Sequence, residues 1–156
     1  MNGHLVTGHP RATDAPPAGE PLAVRRLPPP PRVLALRGAT QVDSDAPRSI
    51  VSATIELLQE LFTRNALDPA DLISIWFTAS PDLTADYPAR AAREMGLVDV
   101  PLMCAAELAV PHGIPRTVRV LVHTHSTRSR SAASHVYLHG AAALRPDLGP
   151  AGRIGP

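Results

Sequence analysis

Apolar positions between Val33 and Leu148 follow two periods, and the switches between them predict the elements. Arg116–Thr124 (RTVRVLVHT) alternates most cleanly: Val118, Val120 and Val122 point one way, Arg119, Leu121 and His123 the other, as in a half-buried strand. Val33–Val42 (VLALRGATQV) begins apolar and predicts a strand, with Gly38 after Arg37 marking a bulge or a close backbone approach. Ile50, Thr54, Leu57, Leu58 and Leu61 form a stripe at helical spacing, with Val51, Ile55 and Phe62 beside it. That helix is predicted from Pro47 to about Arg64, with an N-cap among Asp43, Ser44 and Asp45 and Asn65 as C-cap. Asp71–Ser80 (DLISIWFTAS) is apolar enough to predict a strand covered on both faces. A shorter helix follows, with Pro88 in its first turn and Gly96 at its end, and Val100–Val110 predicts a further strand. Ser126–Ser134 reads as a polar loop, and His135–Leu144 fits either a last strand or a helical turn.

The order strand, helix, strand, helix, strand, strand predicts an α/β (α+β) domain, a mixed sheet with both helices on one face. Its other face is apolar too, which predicts an oligomer. Residues 1–32 are different material: Pro10, Pro16, Pro17, Pro21 and Pro28–Pro31 with no sustained periodicity predict a disordered, Pro-rich extension. A proline-motif ligand and a natural start nearer Val33 are open alternatives for it. Residues 149–156 predict a flexible tail, leaving 33–148 as the domain.

Composition narrows the chemistry. The formal net charge is +1, so no global field points to nucleic acid or a membrane surface. All 15 basic residues are Arg, so every side-chain cation other than histidine is a planar fork suited to carboxylates. The single cysteine excludes an internal disulfide and fits a reducing, cytoplasmic setting. No apolar run approaches the ~18 residues that span a bilayer.

The chemistry-bearing stretch is Pro101–Glu107 with Arg119 beyond it. Glu107 interrupts an apolar stretch, and Arg119 shares a strand face with Leu121. A buried Glu and a buried Arg on neighbouring strands can hold a small polar molecule between them. Arg37, Tyr87, Arg90, Arg93, Tyr137 and Leu144 are available to supply further groups. Plainer roles exist for each. Arg37 fits a strand-end surface residue, and Arg90 and Arg93 a solvated helix face with Arg93 paired to Glu94 or Asp86. Glu107 fits a sheet-edge charge, Tyr137 a core aromatic and Cys104 a small hydrophobe. His123 and His125 alternate onto one face, but no carboxylate or Cys stands at ligand spacing, so no metal is expected. Arg128 and Arg130 lack stacking aromatics, which argues against nucleic acid.

Seven pieces, in order, carry a resemblance: Arg37-Gly-Ala-Thr40, Ala79-Ser-Pro-Asp-Leu83, Tyr87-Pro-Ala-Arg-Ala-Ala-Arg-Glu94, Val100-Pro with Cys104 and Glu107, Arg119-Val, His135-Val-Tyr-Leu138 and Leu144-Arg-Pro-Asp-Leu148. Together they resemble the trimeric α/β chorismate mutases of the AroH type. The resemblance implies a homotrimeric pseudo-barrel with sites between subunits, converting chorismate to prephenate in phenylalanine and tyrosine biosynthesis without cofactor or metal. It implies catalytic roles for Arg119, Glu107 and Arg37, and substrate contacts from Arg37, Tyr87, Arg90, Arg93, Met103, Cys104, Glu107, Arg119, Tyr137 and Leu144. Four departures stand out: Arg90 replaces a frequent Lys, Tyr87 a frequent Phe and Met103 a small polar residue, and the segment from Arg93 to Cys104 is one residue short. Two other functions remain open to these residues: a non-catalytic sensor of a chorismate-like ligand, and a Rid-like enamine or imine deaminase on a similar trimer.

Overall fold

The computed structural model describes residues 30–147. The predictions for residues 1–29 and 149–156, and the domain's predicted last residue Leu148, lie outside them. Among the described residues, five strands and two α-helices follow in the order β1 (Arg32–Gln41), α1 (Pro47–Asn65), β2 (Leu72–Ala79), α2 (Ala89–Glu94), β3 (Leu102–Ala106), β4 (Thr117–Ser126) and β5 (Val136–Leu138). They form one mixed sheet in the order β3-β2-β4-β1-β5. β4 is central and antiparallel to both β1 and β2, while β3 and β5 are parallel edge strands.

The register separates the two faces. Leu34, Leu36, Val120, Val122, Ile75 and Phe77 are buried and pack with α1's Leu57, Leu58 and Leu61 and α2's Ala92, while Val118 packs with α1's Ile50 in a second, smaller cluster. The predicted α1 stripe is buried throughout. Gly38 realises the close-approach alternative, since the β1 register runs without a bulge. A Cβ there would lie 2.9 Å from Leu61 Cδ1 and 3.0 Å from Leu57 Cδ1 and Val120 Cγ1. The opposite face carries Val33, Arg37, Trp76, Met103, Arg119, Leu121 and Tyr137. On it Trp76 is 44% and Met103 51% exposed, so β2 is covered on one face only in the single chain.

Several local expectations are corrected. Ala46, not an Asp or Ser, is the α1 N-cap. Asp45 instead reaches across to Thr84, accepting from its amide (2.8 Å) and hydroxyl (2.7 Å), and from the Ala85 amide (2.9 Å). Those donors, the Thr84 hydroxyl first, hold the Asp45 carboxyl below its ordinary value. Asn65 is the last helical residue, and Ala66 takes the left-handed cap conformation (φ 50°). The buried Asn65 amide donates to Leu61 O (2.9 Å) and Ser134 O (2.8 Å) and accepts from Ser134 N (2.8 Å). The predicted strand at Val100–Val110 shortens to five residues. Its partner ends first: Ser80 N turns to Thr117 O (2.9 Å), and Pro81 has no amide hydrogen to give. His135–Leu144 holds both predicted alternatives, β5 followed by a 3-10 helix at His139–Leu144.

Candidate active site

Arg119 is the third residue of β4, between Ala39 of β1 and Thr78 of β2. Glu107 lies just past the end of β3, its amide still bonded to Ala79 O at 2.9 Å. These placements bring Arg119 Nε to 3.2 Å from Glu107 Oε1, both side chains being partly buried. The geometry is that of an ion pair without a directed hydrogen bond: Nε is buried and has no hydrogen-bond partner. Thr78 Oγ1 donates to the same Glu107 oxygen, which fixes the carboxylate. A cleft of about 610 Å³ opens here, lined by Glu107, Arg119, Ser80, Asp82, Val110 and Pro115 among others. Its rim is braced by Asp82, which accepts from Ser80 Oγ (2.5 Å) and from Arg116 N (2.9 Å). The Ser80 hydroxyl, chiefly, lowers the Asp82 pKa.

Arg37 and Tyr137 join this face. Arg37 pairs with Leu121, so it is the diagonal neighbour of Arg119, roughly 7–8 Å away. Tyr137 stands opposite Ala39 on β5. Leu144 ends the 3-10 helix, half-buried, and leads into Arg145. Arg145 makes a two-pronged pair with Asp147 (2.9 and 2.8 Å). Asp147 first, and Tyr137 after it, push the Arg145 pKa up. Met103 lies on the open face, across from Trp76. The Cys104 side chain packs against the buried core instead, and burial pushes its thiol pKa up, which leaves it a poor nucleophile.

Tyr87, Arg90 and Arg93 are not brought to Arg119 within one chain. They belong to α2 and its approach, and α2 packs with α1 on the helical side. Tyr87 is 73% exposed. Arg90 binds Asp86 (2.8 Å) and Glu94 (2.9 Å), the partners predicted for Arg93. Arg93 donates instead to Leu97 O and Val98 O, both at 2.6 Å. His123 faces Ser74 Oγ at 3.1 Å. Among the described residues, no three His, Cys, Asp or Glu side chains cluster as a metal site. Likewise, no helix there is long and apolar enough to cross a membrane.

Sequence reasoning missed Thr78 and Arg145. Thr78 follows from β2 parity only once the β2–β4 register is known. Arg145 stood inside a quoted motif, and its partner Asp147 two residues on was the available signal.

An acidic acceptor and arginine forks share this sheet face, an arrangement suited to holding a small anionic molecule. Comparison with known proteins makes the class specific. The family model described as chorismate mutase type I matches residues 33–148. The chain is 41% identical over 117 residues to chorismate mutase AroH of Thermus thermophilus, covering 74% of this chain and 96% of that one. It is 36% identical over 114 residues to chorismate mutase AroH of Bacillus subtilis strain 168, covering 72% and 90%. A solved chorismate mutase from Clostridium thermocellum superposes with a TM-score of 0.70 at 42% identity, covering 70% of this chain and 98% of that one. The chain belongs to the type I chorismate mutases. It is an isomerase of the α/β, AroH class.

Proposed function

We propose that chorismate is rearranged to prephenate on the open sheet face around Arg119, in a site completed by α2 of a second copy within a homotrimer. The observation that carries this reading is the buried Arg119 Nε, held 3.2 Å from Glu107 in an open cleft and without a hydrogen-bond partner. A preorganised donor of this kind is what a breaking ether bond needs, because negative charge grows on its oxygen. The reaction is intramolecular: one C–O bond breaks, one C–C bond forms, and no proton moves. Catalysis is therefore selection of the compact conformer plus stabilisation of charge.

Arg119 donates to the ether oxygen and a carboxylate. Glu107, fixed by Thr78, accepts from the ring hydroxyl, with the Cys104 backbone and Met103 alongside. Arg37 grips the side-chain carboxylate with help from Tyr137, and Leu144 forms an apolar wall. Tyr87, Arg90 and Arg93 supply the second wall and the positive charge at the mouth. Their separation from Arg119 within one chain, together with the exposed Trp76, Met103 and Tyr87, supports a shared site between subunits. The biosynthetic character of the reaction supports a cytoplasmic location.

Subunit complementation tests this reading. Arg119→Ala chains and Arg90→Ala/Arg93→Ala chains are each expected to be nearly inactive. Unfolded together and refolded, random trimers should regain about a quarter of wild-type activity, because each intact site takes one native half from each chain type. Recovery no greater than the sum of the two parents would sink the shared site.

A further inference from the structure

We propose that His135 is a positioning residue for the substrate site: its neutral imidazole, taking the Arg37 amide hydrogen on Nδ1, extends the β1–β5 ladder by one step and fixes Arg37 and Tyr137 relative to one another. The proposal rests on the assignment of Arg37 and Tyr137 to the substrate. β5 is only three residues long, and its parallel pairing starts at Gly38↔Val136. One step earlier, the Arg37 N–H finds the His135 ring at 3.1 Å. An amide N–H only donates, so Nδ1 is the acceptor and the neutral ring carries its proton on Nε2. One residue earlier, Ser134 is clamped by both its backbone groups to the buried Asn65 side chain of α1. The approach to β5 is thus pinned at two successive residues, two positions before Tyr137.

The charged groups that act on the ring are Arg145, beyond the 3-10 helix, and Arg37 from β1. Burial first, then Arg145 and Arg37, lower the His135 pKa below its ordinary 6.5. The ring is therefore an acceptor at neutral pH. Protonation removes that acceptor and sets a third positive charge beside two arginines. Since the folded value is the depressed one, the contribution of His135 is complete above 6.5 and is lost as pH falls through the folded value.

Steady-state KM and kcat from about pH 8 down to the acid limit of folding test the proposal, because the folded histidine titrates below its ordinary 6.5. Wild type, His135→Asn, His135→Leu and Arg37→Ala are measured side by side. Wild-type KM should rise at the acid end with kcat little changed, because the reaction itself transfers no proton and Arg37 acts through binding. His135→Leu should show KM raised about five- to tenfold near pH 8, the loss of roughly one hydrogen bond, and no further acid rise. His135→Asn offers an acceptor that does not titrate, so its KM should lie below that of the Leu variant and stay flat into acid. A wild-type KM flat to acid pH overturns the proposal. So does a folded Leu variant with wild-type KM, or an Asn variant that keeps the acid rise. If the Leu variant does not fold, the Asn pH profile decides. Unchanged KM in Arg37→Ala would show that the site assignment itself is wrong. Raised KM in Arg37→Ala with no effect at His135 would remove His135 alone.

Discussion

On the proposed assignment, replacing Arg119 with alanine removes the donor that meets the breaking bond while taking little from the fold. Arg119 Nε makes no hydrogen bond, so no partner is stranded by the truncation. Glu107 loses its ion-pair partner but keeps Thr78, and its side chain is 24% exposed, enough for water to reach it. The folding cost is therefore about 1 kcal/mol or less, in the range of partly exposed ion pairs. The catalytic cost is larger: losing a preorganised donor at developing charge costs about 3–4 kcal/mol, roughly 10²–10³ in kcat. The lost carboxylate contact adds to this in kcat/KM. Loss of chorismate absorbance, with prephenate quantified at the end point, gives the rate, and thermal unfolding gives the fold control. A variant that melts near wild type and keeps kcat within about tenfold would refute the reasoning, since that leaves less than half of the expected stabilisation at Arg119.

Two further predictions concern the frame. Asn65→Ala leaves the buried Ser134 amide and carbonyl without partners, at about 1–3 kcal/mol for each unsatisfied group; denaturant unfolding should show about 2–5 kcal/mol lost, and a loss below about 1 kcal/mol would contradict the clamp. Gly38→Ala drives a methyl to 2.9–3.0 Å from Leu61, Leu57 and Val120, so stability should fall by about 1–3 kcal/mol and KM should rise as β1 shifts Arg37, with calorimetry and steady-state kinetics as the readouts.

The strands were readable where one face is wet. Alternation in β4 placed Arg119 with Leu121 and His123 opposite the buried valines, and the helical stripe of α1 located its packing face. β2 defeated the same reasoning because LISIWF carries large apolar residues on both faces, and Trp76 remains exposed in the single chain. Caps were misread because Asp45 and Asn65 spend their side chains on partners 39 and 69 residues away. Local spacing does not show such partners. Strand order was equally hidden, and with it the meeting of Thr78, Glu107 and Arg119. The residues of the site were named through their resemblance to a family. Geometry adds which of them share one face of one chain and which belong to the far side.

The sheet order grades how readily different parts of the site open. β4 is flanked along its length by β1 and β2, whereas β5 is held by three residue pairs at one rim and β3 by five at the other. Local opening is least costly where the fewest pairs must part. The β3 rim carrying Met103 therefore opens at smaller cost than the strand carrying Arg119, while the short β5 gains the His135 and Ser134 anchors. On the proposed assignment, admission of substrate and escape of product fall to the β3 margin, and Arg119 sits on the strand with the most pairs to part.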